Sequence, residues 1–97
     1  MEKYKRKILK IIELCDIELQ NRKAGILGES TEEQLKGTIL PELYRLLELI
    51  NNNQLPPVQE RYLESFANAF TVWGWNMQMP TEIFTLLAEL NSDYKKL

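Results

Sequence analysis

Phe70-Thr71-Val72-Trp73-Gly74-Trp75 is the stretch on which the fold turns. Six of the nine aromatic residues lie between Tyr62 and Phe84, and this run holds half of them. In a chain of 97 residues, that much ring surface has to be buried in a core or against a partner. Each buried tryptophan or phenylalanine contributes roughly 2–3 kcal/mol, so the segment anchors the fold. Upstream, Val58, Tyr62, Phe66, Ala69/Phe70 and Trp73 recur at helical spacing, which predicts a helix from Pro57 to Trp73. Gly74 is placed to end that helix in the left-handed conformation, with Trp75 folding back onto Phe70. The rings read mainly as core, and Trp75 is also a candidate anchor for a partner if one tryptophan stays exposed.

Working outward, three more helices emerge. Tyr4, Ile8, Ile11, Cys15 and Leu19, widened by Ile12, predict a first helix over about residues 2–22. Its early turns are rich in cations, the unfavourable sign for the helix dipole. Gly25 and Gly28 mark a loop from Asn21 to Glu29. Ser30-Thr31-Glu32-Glu33 then matches a capping box, with Ser30 as cap and Glu33 reaching back. Leu35, Ile39, Leu43, Leu46/Leu47 and Ile50 make the next apolar face. Pro41 cannot donate to the carbonyl of Gly37, which predicts a kink, or a split near Leu40. Asn51-Asn52-Asn53 closes this element, and Leu55-Pro56-Pro57 is a stiff connector. After a loop at residues 76–79, Pro80-Thr81-Glu82 opens a last helix bearing Ile83, Leu86, Leu87 and Leu90, with Phe84 at its edge. Asn91 and Ser92 are expected to end it or begin a tail. No strand pattern or repeat is present. The fold class is all-α: a single domain over residues 1–97, an antiparallel bundle or small helical array of four to five helices.

Composition narrows the chemistry. The apolar share is 44% and the charged share 27%, ordinary for a globular domain able to bury one core without disulfides. Cys15 is the only cysteine, so no internal disulfide can form, which suits a reducing compartment. With no apolar run of membrane-spanning length and no clean hydrophobic leader segment, a cytoplasmic protein is expected. Residues 1–23 carry seven Lys/Arg against four Asp/Glu, while residues 24–94 carry three against ten. The body is therefore acidic with basic ends, a distribution that repels nucleic acid and attracts basic partners.

Histidine is absent, which removes the commonest general base and metal ligand and every Ser-His-Asp or Cys-His arrangement. Cys15 lies on an apolar stripe and reads as core. No glycine-rich phosphate loop is present, since Gly25-Ile26-Leu27-Gly28 lacks the following Gly-Lys-Ser/Thr. Glu60 and Glu64, expected on one helical face, are paired carboxylates of the kind that usually form a solvated surface. An enzyme is not expected, and neither a cofactor nor a metal. Lys3, Arg6, Lys7 and Lys10 share a face that could meet nucleic acid, but Glu13, Asp16 and Glu18 follow directly and can pair with them.

The stretch Gly28-Glu29-Ser30-Thr31-Glu32-Glu33-Gln34-Leu35, the later run RYLESFANAFTVWGWNMQMPTEIFTLLAEL and the ending LNSDYKKL resemble small helical immunity proteins. These belong to bacterial contact-dependent growth inhibition and related polymorphic toxin systems. The similarity covers roughly residues 28–97 and carries no family site residues onto numbered positions. It implies a stoichiometric inhibitor that binds one protein partner, a basic toxin domain and often a nuclease, and blocks its active site. The acidic body points the same way, with Glu29, Glu32, Glu33, Glu60 and Glu64 as candidate contacts, Trp75 beside them, and a monomer when free. The alternative expectation is a homo-oligomeric structural or regulatory module using Leu14, Ile17 and Leu40 as an apolar seam.

Overall fold

A computed structural model describes residues 1–97 as four helices with no strand. Helix α1 spans Glu2–Lys23. Its buried residues are Tyr4, Ile8, Ile11, Ile12, Cys15 and Leu19, the stripe read from the sequence. Arg22 and Lys23 in the last turn suit the helix dipole, and the helix runs one residue beyond the expected end.

Helix α2 occupies residues 32–51 in three consecutive segments: α-helical over Glu32–Gln34, a π-turn over Leu35–Ile39, and α-helical again over Leu40–Asn51. Its cap is one residue later than expected. Thr31 Oγ1 accepts from the Gln34 N–H at 3.1 Å, and Gln34 Oε1 accepts from the Thr31 N–H at 3.1 Å. Ser30 is unavailable because Arg22 holds it: Nε donates to the Ser30 carbonyl at 2.6 Å and Nη2 to its hydroxyl at 3.3 Å. The expected division near Leu40 takes the form of a change of helix type, from π-turn to α-helix, with no break in the helical run. The wider π-turn carries the Leu40 N–H back to the Leu35 carbonyl, and Pro41 then falls in the first turn of the following segment, where no N–H is needed. Leu35, Ile39, Leu43, Leu46 and Ile50 are all buried.

The predicted helix from Pro57 to Trp73 is corrected to a 3₁₀ turn at Val58–Glu60, an extended step through Leu63, and helix α3 at Glu64–Thr71. Tertiary partners take the N–H groups that a longer helix would have used. Leu63 N–H goes to Asn91 Oδ1 at 2.8 Å, and those of Glu64 and Ser65 go to Glu42 at 2.7 and 2.8 Å. The register shifts accordingly: Leu63, Ser65 and Ala69 are buried, whereas Val58, Tyr62 and Phe70 are exposed. Gly74 is left-handed as expected, with φ +66°. Trp75 does not fold onto Phe70. It enters the core, 5.6 Å from Phe84 in an edge-on pair and 5.4 Å from Trp73.

Helix α4 covers Glu82–Tyr94, capped by Thr81 Oγ1 accepting from the Phe84 N–H at 3.2 Å. It continues past Asn91 because Tyr94 is itself core, 4% exposed, beside Tyr4. The start of α1 lies along the end of α4: the Tyr4 hydroxyl donates to the Leu90 carbonyl at 2.9 Å, and Lys7 pairs with Glu89 at 3.0 Å and Asp93 at 3.2 Å. Lys7 is thereby withdrawn from the basic patch, its partners coming from α4 rather than from the nearby Glu13 or Asp16. The proposed apolar seam is not on the surface either. Leu40 is buried, Leu14 packs on the core, and only Ile17 is exposed.

Candidate partner-binding surface

A concavity of about 460 Å³ lies between α2 and the connector that leads into α3. Gly37, Pro41 and Arg45 form one wall, one helical turn apart, and Glu60, Tyr62 and Glu64 the other. The second wall owes its position to part-buried bonds. Arg61 spans two segments, donating from Nε to the Pro56 carbonyl at 2.8 Å and from Nη1 to the Leu97 carbonyl at 2.9 Å. Leu63, 2% exposed, is the apolar pin below it. Glu42 closes the floor by capping α3, so its charge is taken up by two N–H groups and the helix dipole.

Glu60 and Glu64 are therefore not neighbours on one helix, as their spacing suggested. Glu60 belongs to the 3₁₀ turn and Glu64 opens α3, yet both border the same groove with Tyr62 between them, 57% exposed. A shallower depression of about 310 Å³ adjoins Glu32, Glu33, Lys36 and Gly37. Gly37 belongs to both hollows, so four of the six candidate residues, Glu32, Glu33, Glu60 and Glu64, follow one face. Glu32 and Lys36 approach to 3.7 Å, but both are about half exposed and the pair adds little stability. At Gly37 a Cβ would meet nothing within 4 Å, so the helix backbone itself is open to an approaching molecule.

The other two candidates play different parts. Glu29 is half-buried. Its Oε2 accepts from the Asn76 N–H at 2.8 Å, joining two loops, and its Oε1 is buried without a partner. Trp75 is 4% exposed, with Nε1 donating to Gln34 Oε1 at 3.3 Å. It is a core residue rather than an exposed anchor, because the left-handed turn at Gly74 directs its ring inward against Phe84. The surface aromatic at the groove is Tyr62, which sequence periodicity had assigned to the core. No local signal identified it, since its exposure follows from the unpredicted shortening of α3.

Cys15 is buried, and burial, with Asp16 and Glu18 nearby, pushes its thiol up to about 12. At neutral pH it is a small apolar side chain rather than a nucleophile. No three His, Cys, Asp or Glu side chains come together in a way that could hold a metal ion. No helix is long and apolar enough to cross a membrane. A scan of family models, a search of curated proteins and a search of solved structures each returned no match to this chain.

Proposed function

We propose that this chain is a stoichiometric inhibitor of the immunity type, docking its acidic α2 face into the basic substrate groove of a bacterial toxin domain. One observation carries the reading: Glu32, Glu33, Glu60 and Glu64 border two hollows that share Gly37, with Tyr62 exposed among them. Carboxylates spread along a groove can occupy the positions of phosphates on a nuclease, and the side-chain-free Gly37 allows close backbone approach. Docking of this kind blocks access without making or breaking a bond. It also suits speed, because opposite charges steer the encounter and raise association rates by about 10-fold or more at low salt. Tyr62 supplies a ring at the centre of the charged rim, where aromatic side chains contribute most to affinity.

The test is copurification with a basic bacterial toxin domain, followed by that domain's activity in the presence of the inhibitor. A 1:1 complex that silences the domain, and that forms more slowly as salt rises, is expected. The double variant Glu60→Gln/Glu64→Gln should reduce that salt dependence and leave the melting temperature nearly unchanged. Binding indifferent to salt rules out electrostatic docking.

A further inference from the structure

A second surface stands out for the opposite reason, that it has no charge. Residues 24–28 and 65–81 contain no Asp, Glu, Lys or Arg, in a chain 27% charged. The Asn76–Glu29 bond brings these two stretches together at one end of the molecule. Around that bond four large apolar side chains face solvent: Leu27 at 92% exposure, Met79 at 80%, Met77 at 57% and Ile26 at 56%.

The loops that carry them are held rather than loose. The Ile26 carbonyl accepts from Arg22 Nη1 at 3.2 Å, and Arg22 also grips Ser30. Arg22 is further paired with Glu18, and a Cβ on Gly28 would overlap its guanidinium. In the other loop Asn76 Oδ1 accepts from the N–H groups of Gln78 at 2.9 Å and Met79 at 3.0 Å. Polar ties therefore fix the backbone while the apolar side chains point outward. Such an arrangement lowers the ordering cost of binding.

We infer that these two loops form the apolar half of the partner interface, presenting Leu27, Ile26, Met77 and Met79 to an uncharged pocket on the protein that the acidic face engages. The inference rests on the docking reading above. Area and charge select the occupant. The four side chains expose on the order of 500 Å², a size that marks interaction sites on monomers but falls short of the ~800 Å² per partner of a stable dimer. The patch is thus too small to hold a second copy and belongs to a larger contact. That larger contact adjoins it: Trp75, next to Asn76, bonds Gln34 in the same turn as Glu32 and Glu33. A membrane is disfavoured because interfacial anchors surround their apolar residues with cations, whereas at the borders of these loops Lys23 stands against Glu29, Glu64 and Glu82, and Arg22 is paired with Glu18. Two methionines suit an adaptable fit to a partner pocket.

The experiment compares the wild-type chain with Leu27→Asn/Met79→Gln, using the copurified toxin domain of the preceding test as probe at low and high salt. The variant should melt at the wild-type temperature or higher, since both sites are solvent-facing. It should bind at least 10-fold more weakly, mainly through faster dissociation, with the wild-type salt dependence retained. Equal affinity for both chains overturns this inference while leaving acidic docking intact. Salt-indifferent wild-type binding, or none, removes the docking reading and this inference with it. On the chain alone, sedimentation up to about 100 µM should show a monomer, and neither neutral nor anionic phosphatidylglycerol-containing vesicles should carry it in flotation. A dimer lost in the Leu27 variant, or vesicle binding lost there, identifies a different occupant and overturns the assignment.

Discussion

The carboxylate of Glu42 on α2 caps helix α3, receiving the N–H of Glu64 at 2.7 Å and that of Ser65 at 2.8 Å across more than twenty residues of chain. Neither Leu63 nor any nearby side chain supplies this cap locally. One acidic residue thus both starts a helix and fixes the wall of the groove. Removing it with Glu42→Ala should cost about 1–2 kcal/mol, the usual size of a lost helix cap. Thermal melting would register the loss, and the Ser65 amide should exchange faster with solvent.

Ser65 offers a test of opposite sign. Its side chain is fully buried and its hydroxyl has no partner, while its backbone N–H is satisfied by Glu42. Ser65→Ala removes an unpaired buried hydroxyl and keeps the cap, so stability should rise by about 1 kcal/mol. A lower melting temperature would show that the hydroxyl is bonded.

The two aromatic positions should separate cleanly. Trp75, enclosed between Trp73 and Phe84, is expected to cost about 3–5 kcal/mol on Trp75→Ala, close to the whole stability of a small domain. Tyr62→Ala, at a half-exposed rim position, should move stability by less than about 0.5 kcal/mol and act on partner binding instead. Denaturant titration of the pair checks both.

Alkaline pH should weaken the fold. Burial, with Tyr94 and the carboxylates of Asp93 and Glu42 adding to it, holds the Tyr4 hydroxyl above its ordinary range, and Cys15 rises from 9.0 to about 12. Both groups are neutral in the native core and ionise there at higher pH than in the unfolded chain. The stability they support is intact below about pH 9 and declines as pH climbs toward 12. Tyr4→Phe forfeits the bond to the Leu90 carbonyl, about 1 kcal/mol, but should flatten this alkaline limb. Melting curves between pH 7 and roughly pH 11 read out both effects. In the native state Cys15 should resist thiol reagents, reacting only as the protein opens.

Much of this architecture was legible along the chain. Apolar residues at steps of three and four placed α1, the inner face of α2 and most of α4, because an amphipathic helix records its buried side in its period. Gly74 announced its left-handed turn, and the absence of histidine and of any strand pattern narrowed chemistry and fold class together. The run Val58, Tyr62, Phe66, Phe70 misled for a physical reason: identical spacing can be overruled when tertiary acceptors such as Asn91 and Glu42 bid for the same N–H groups.

Local sequence thus determined that the chain is helical in four places and which face of each long helix is apolar, since both depend on neighbours within one or two turns. Only the tertiary structure decided where α3 begins, how Pro41 is absorbed by a π-turn, and which carboxylates line the same groove. Glu60 and Glu64 line one hollow and Glu32 and Glu33 the next, joined at Gly37, because α2 packs beside the connector, not because of any spacing between them. The same holds for Trp75, drawn inward to Phe84, and for Leu27 and Met79, left outside when Arg22 and Asn76 tied down their loops. Periodicity is a property of one element. A surface is a property of several, and its composition is set by which elements come into contact.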